Sequence, residues 1–269
     1  MDNYTSINAS AIDSWIASDG GWTWGIPVSK EECAKVRNGD WNVLLTPEKF
    51  VPKEWFLPFV GAKILGLASG GGQQMPIFSI LGASCVVMDL SDKQLESERL
   101  VAEREGYSID IVKADMTKIF PFNDGCFDLI FHPVANVYVE DVQHIWQECY
   151  RVLRPGGVLL SGLDNGLNFI FDDLENPLTA SGTLPYNPLK NPEQMAKIEN
   201  PATDSIQFSH TFDEQIAGQL KAGFVITAAY EDFDRPQCAL STAMKGAGIS
   251  SYWATRAVKQ IKYTSSNTP

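Results

Sequence analysis

Three consecutive glycines, Gly70, Gly71 and Gly72, follow the apolar run Ala62 to Ala68 in the segment ILGLASGGGQQ. Glycine lets the backbone pass close beneath a ligand. A helix that starts just after it offers free N–H groups to a carboxylate or phosphate. The alternative is a tight strand-to-helix turn with no ligand. Asp89 closes the apolar segment VVMDLS, where a carboxylate can accept both hydroxyls of a ribose. It can instead be a helix N-cap, although Ser91 already fills that place. Asp115, in KADMT, ends a third strand-like segment and can accept from an adenine amino group; alone it reads more simply as a turn aspartate. The glycines also invite comparison with the dinucleotide fingerprint G-x-G-x-x-G. Gly70 and Gly72 satisfy its first two positions, but Met75 stands at the third, too bulky for the close helix–strand contact required there.

These residues need strand ends to hold them. Residues 62 to 163 alternate strand-like and helix-like patterns, with five strand candidates at Ala62–Ala68, Cys85–Leu90, Ile109–Lys113, Phe127–Phe131 and Val158–Leu163. Ser91 followed by Gln94 is a capping-box pair and predicts a helix running to Gly106. Val142, Ile145, Trp146, Cys149, Val152 and Leu153 recur at helical spacing and form one apolar face, stopped by Pro155-Gly156-Gly157. Such alternation predicts an α/β fold with a doubly wound, mostly parallel sheet. A further helix is predicted over Asp213–Lys221, and strands over Phe224–Tyr230 and Tyr252–Lys259. Two stretches break the rhythm. Residues 1 to 60 carry five of the seven tryptophans, and residues 164 to 209 are rich in Pro, Asn and Asp, as covering loops often are.

Taken together, ILGLASGGGQQ, VVMDLS, KADMT, DGCFDLIFHP and RVLRPGGVLLSG resemble the class I S-adenosylmethionine-dependent methyltransferases, in particular the bacterial small-molecule type, in both order and spacing. The resemblance covers residues 60 to 165, and more loosely 210 to 260. It implies a Rossmann-like, seven-stranded sheet whose last strand is antiparallel, and S-adenosylmethionine as cofactor. It implies that Ala68, Ser69, Gly70 and Gly72 line the methionine end, that Asp89 holds the ribose, and that Leu90 packs on adenine. Asp115 and the Met116 backbone would read the adenine edge, and His132 would lie near the methionine amino group and methyl. One departure stands out. The family's acidic residue in the first strand is here Gly66, and its first motif glycine is Ala68.

Methyl transfer is an in-line displacement in which the protein supplies alignment. A general base is needed only for a protonated acceptor. His132, at a strand end, is the candidate base; the alternative is a structural histidine before Pro133. Residues 1 to 60 read as an N-terminal helical cap, with 61 to 269 as the methyltransferase domain and 164 to 209 as an insertion after the fifth strand. Trp22 and Trp24, flanked by glycines, are candidates for an aromatic wall over the methyl donor. Asn136, Asp164, Asn165 and His210 are the other acceptor-pocket candidates. Deleting the first 40 or so residues is expected to spare cofactor binding more than turnover.

A formal net charge of −12 argues against a nucleic-acid footprint or an anionic membrane partner; the resemblance implies a small-molecule substrate. Five scattered cysteines form no C-x-x-C pair, which suggests neither disulfide framework nor metal site and fits a cytoplasmic enzyme. The start MDNYTSINAS has no basic region followed by an apolar core, so no signal peptide is read. Two other functions stay open at this stage: a catalytically silent S-adenosylmethionine-binding module, and an NAD-dependent oxidoreductase.

Overall fold

The seven strands are β1 (Lys63–Leu67), β2 (Ser84–Asp89), β3 (Asp110–Lys113), β4 (Phe127–His132), β5 (Leu153–Asp164), β6 (Phe224–Asp232) and β7 (Tyr252–Lys259). The computed structural model describes residues 4–18, 25–171, 174–175, 179–180, 182–200 and 204–261, and all statements of structure concern these. The strands form one sheet in the order β3-β2-β1-β4-β5-β7-β6. β1 pairs in parallel with both β2 and β4, and β4 with β5; β7 runs antiparallel between β5 and β6. The chain order therefore switches between β1 and β4, and in open α/β sheets ligands bind in the crevice beyond that switch.

The helices are α1 (Tyr4–Ala17), α2 (Lys30–Arg37), α3 (Gln74–Ile80), α4 (Asp92–Glu105), α5 (Val142–Val152), α6 (Pro192–Met195), α7 (Gly218–Ala222) and α8 (Ala239–Ala247). Ser91 caps α4 by accepting from the Gln94 N–H, and Gly106 ends it in the left-handed conformation that glycine adopts without strain. Successive strand residues point to opposite faces, and the two faces bury separate cores. On one, Ile64, Val87, Leu129 and Phe131 pack with Met75, Phe78 and Leu95, and with Val43, Leu45 and Trp55 from the N-terminal segment. On the other, Leu65, Met88, Ile130 and Leu159 pack on the apolar stripe of α5, centred on Ile145, Trp146 and Cys149. Between its buried ends β6 alternates exposed and half-buried residues, as an edge strand solvated on one side should.

The helix predicted over Asp213–Lys221 is divided. Asp213–Ala217 forms a π-helical turn that runs into α7. Among the described residues no helix is long and apolar enough to cross a membrane, and no group of three or more His, Cys, Asp or Glu is placed to hold a metal ion.

Candidate functional site

Beyond the carboxyl ends of β1, β2 and β4 lie two adjoining chambers. The first encloses about 680 Å³ and the second about 1190 Å³, each counting its open mouth. They meet at Ala68, Gln94, Val134 and Tyr138, which line both.

The first chamber is floored by Met88, Asp89 and Leu90 from β2 and by Ala114 to Thr117 after β3; Val134 and Val139 close one side. Thr5, Asn8, Ala9 and Ile12 of α1 form its roof. The result is a largely apolar chamber that two carboxylates, Asp89 and Asp115, also line. Asp89 is held from behind: its two carboxylate oxygens accept from the Ser91 N–H at 3.0 Å and the Gly70 N–H at 3.1 Å. Burial pushes its pKa up, and the backbone N–H donors pull against that rise. A carboxylate has about four acceptor sites, so these two bonds leave capacity toward the chamber. Asp115 uses one oxygen to accept from the Thr117 N–H at 2.8 Å.

The glycine loop divides its labour. Ala68 has φ +46°, the one positive value among described non-glycine residues, and its N–H donates to the Met88 carbonyl at 2.8 Å. The conformation that the family's glycine would adopt freely is thus carried by an alanine at some cost in strain. Ser69 and Gly70 line the second chamber. A Cβ at Gly70 would come within 2.6 Å of the Gln94 Cβ, so glycine is required there. Gly72 departs from the expectation of a cofactor contact. It turns away from both chambers onto α4, its N–H donating to Glu98 Oε1 at 2.8 Å. Gly66 has its own explanation, since a Cβ there would sit 2.7 Å from Met75 Sδ. Met75, fully buried, occupies the space the family's acidic side chain would need. It also fills the place of the third fingerprint glycine, which removes the dinucleotide geometry.

The second chamber is walled by Gln73 and Gln74, Pro133, Asp164 and Tyr252; Leu45 and Pro47 come from the N-terminal segment. Asn168, Phe169, Leu174 and Gln207, from the stretch after β5, complete it. Asp164 ends β5 and is 7% exposed. Its Oδ1 accepts from the Gly166 N–H at 2.6 Å, and burial raises its pKa to about 7.

His132 corrects the reading of a general base. It is wholly buried and lines neither chamber; Pro133 and Val134 do instead. Its Nδ1 lies 3.0 Å from the Leu67 carbonyl and its Nε2 2.7 Å from the Asn136 carboxamide, so neither nitrogen is free to take a proton. Burial lowers its pKa, and the bonds to Asn136 and Leu67 pull against that fall. Asn136 and His210 are buried in the same network. The His210 Nε2 bonds the Asn136 carbonyl at 2.9 Å, and Gln215, on the π-helical turn, donates to the Asp164 carbonyl at 2.5 Å. Asn165 is consumed by the β5–β7 corner, its side chain donating to the Ser250 carbonyl and accepting from the Leu167 N–H. These three candidates brace the floor and do not face the cavity. Trp22 and Trp24 lie outside the described residues.

Sequence reasoning missed α1 as a roof, along with Gln73, Gln94 and Tyr252. The apolar residues of α1 follow no single stripe, because the helix meets α4, the insertion and the cavity on different sides. The N-terminal stretch contributes to both chambers. Its first helix closes the first chamber, while Leu45 and Pro47 reach the second.

The family described as Methyltransferase domain matches residues 65–161. The uncharacterized methyltransferase YbaJ of Bacillus subtilis (strain 168) is 40% identical over 265 residues, covering 96% of this chain and 100% of that protein. A ubiquinone biosynthesis O-methyltransferase of Chelativorans sp. (strain BNC1) is 30% identical over 146 residues, 52% of this chain and 57% of that one. Among solved structures, an S-adenosylmethionine dependent methyltransferase from Mesorhizobium loti superposes with a TM-score of 0.58 at 20% identity, covering 77% of this chain and 94% of that one. Likeness to a methyltransferase along nearly the whole chain, on a sheet of this order, makes the protein a member of the class I S-adenosylmethionine-dependent methyltransferases: an enzyme, and one that uses S-adenosylmethionine.

Proposed function

We propose that the first chamber takes the adenosine of S-adenosylmethionine, and that the second takes its methionine tail together with a small-molecule methyl acceptor. The observation that carries this reading is the junction of the two chambers at Ala68 and Val134, where β1 and β4 part. In this reading the free acceptor sites of Asp89 receive the ribose hydroxyls, and Leu90 and Met116 sandwich the adenine. Asp115 accepts from the adenine amino group. Ala68, Ser69 and Gly70 pass beneath the methionine portion. The cofactor supplies an electrophilic methyl group; the chain holds the acceptor in line with it and keeps water out. Such alignment is worth up to roughly 7–11 kcal/mol in favourable intramolecular models. Residues 1 to 60 and 164 to 209 then act as covers, and residues from both already line the chambers. A small acceptor fits an enclosed second chamber, and the Chelativorans relative, by its name, works in the biosynthesis of a small molecule.

The test is titration calorimetry with S-adenosylhomocysteine, the demethylated product. Wild-type protein should bind it with a micromolar dissociation constant. Asp89→Asn should weaken binding about tenfold or more, since a hydrogen bond to a charged group is worth about 1.5–3 kcal/mol. Circular dichroism should be unchanged. Equal affinity in the variant would place the ribose elsewhere.

A further inference from the structure

Among the described residues lining the two chambers, the charged ones are Asp89, Asp115 and Asp164; no Lys, Arg or His is present. The first two belong to the first chamber. Asp164 stands alone in the second, more than nine-tenths buried, and it carries no cationic partner. Its Oδ1 is held by the Gly166 N–H. Among the described residues its Oδ2 has no hydrogen-bond partner, and it is not sealed from the cavity. The groups whose charge bears on it are acidic, and the neutral lining includes amides and aromatic rings. Asp234, after β6, lies close enough for its charge to raise the Asp164 pKa further, and Tyr252 on β7 feels Asp164, Asp234 and Tyr138 together. Arg235, next to Asp234, lines neither chamber; it donates to the Pro47 carbonyl, and its charge pulls against the burial that raises the pKa of Asp234. Phe169, Tyr138 and Tyr252 add aromatic wall.

A buried carboxylate without a cation is costly unless a ligand supplies one. Aromatic faces attract the same kind of ligand. An anionic acceptor, whether carboxylate or phosphate, would meet only like charge.

We propose that Asp164 is the acceptor-binding residue of the second chamber, and that the acceptor is a protonated amine methylated on nitrogen. The inference rests on the two-chamber reading above. The ammonium passes a proton to Asp164 Oδ2, and the freed nitrogen lone pair forms the new N–C bond. The C–S bond breaks with its electron pair left on sulfur. The sulfonium charge thereby ends on the methylated nitrogen, and the carboxylic acid returns its proton to water. Burial, which raises the Asp164 pKa to about 7, suits a group that both binds a cation and takes its proton near neutrality. The strand order sets the carboxylate across the second chamber from the glycine loop. Asp164 ends β5, two strands from the β1 loop, and strands lie about 4.8 Å apart, so roughly 10 Å separates them.

The experiment uses the full chain saturated with S-adenosylhomocysteine and matched sets of probes: benzyl, phenethyl and octyl compounds, each as amine, alcohol and carboxylic acid. At pH 7.5, in at least one set, the amine should bind about tenfold or more tighter than the alcohol, and the acid should not bind. Asp164→Asn keeps the Gly166 bond and the shape but removes the charge. It should erase the amine preference and leave S-adenosylhomocysteine affinity within about twofold. Equal binding of amine and alcohol, preference for the acid, absence of any amine binding, or an unchanged preference in the variant would each overturn the proposal. A variant that loses S-adenosylhomocysteine would assign Asp164 to the cofactor instead. Failure of the wild type to bind S-adenosylhomocysteine would be a failure of the two-chamber reading, separately recorded.

Discussion

Glu98 reaches the glycine loop from inside α4. It is fully buried; its Oε1 accepts from the Gly72 N–H, while Oε2 and the nearby Tyr107 hydroxyl have no partner among the described residues. Burial raises its pKa to about 8; the Gly72 bond opposes the rise, and the Asp89 charge adds to it. In the unfolded chain the same group titrates near 4.3. Between those two values the folded state holds a proton that the unfolded state has released. The unfolded state then binds fewer protons, so stability falls as pH rises across this window, by at most about 1.4 kcal/mol per pH unit from this group. Glu98→Gln keeps the acceptor for Gly72 and cannot ionise. Urea midpoints of variant and wild type should be close at pH 5 and should diverge in favour of the variant by pH 8; parallel curves would show that Glu98 does not titrate this way. Gly66 is a different kind of local exchange. A Cβ at this position would meet the buried Met75 side chain, so packing takes the space that the resembling family gives to an acid.

The elements that hold the site differ in how plainly the sequence announces them. α4 is legible at both ends because Ser91 and Gly106 are cap residues with defined geometry, and α5 is legible because its apolar positions recur at helical spacing. The seven strands and the antiparallel β7 follow the pattern of the resembling family. α1 is not legible, since its fixings are polar and distant. Asn8 donates to the Ile206 carbonyl at 2.9 Å and accepts from the Ile206 N–H at 2.7 Å, clamping the helix to the insertion. Asp13 Oδ1 accepts from Ser91 Oγ and the Lys93 N–H, anchoring α1 to the start of α4. Tyr4 meets Phe208 edge to face. The choice between the two readings of His132 is not legible for a related reason: which way a strand-end side chain points depends on what packs on that face, here Trp146 and the Asn136 turn. Asn8→Ala removes both clamp bonds and strands the Ile206 amide, a loss of about 1–3 kcal/mol. Amide hydrogen exchange in α1 should then quicken about tenfold or more while amides of β1 and β4 keep their rates. Unchanged exchange in α1 would show that the clamp does not hold the roof.

The cavity is closed by parts of the chain that lie far apart in sequence: α1, Leu45 and Pro47, the stretch around Phe169, Gln207, and Tyr252 near the other end. None of these has a site of its own, and each becomes part of one only because the sheet fixes where the strands end. A ligand filling both chambers therefore bears on all of them at once. At a hundred times its dissociation constant, S-adenosylhomocysteine should add about 2.7 kcal/mol of stability, which for a domain of this size corresponds to roughly 5 °C or more in Tm. That gain would be general, whereas the change in local opening would not. Hydrogen exchange should slow together in α1, in Leu167–Ile170 and in Gln207–His210, because the Asn8 clamp and the shared cavity walls join them. The edge strand β6 forms no part of either chamber wall and should change only as far as global stability changes. Protection confined to the glycine loop and the end of β2, with α1 and the insertion unaffected, would mean that the roof is packing alone and that the cofactor is held from the sheet side only.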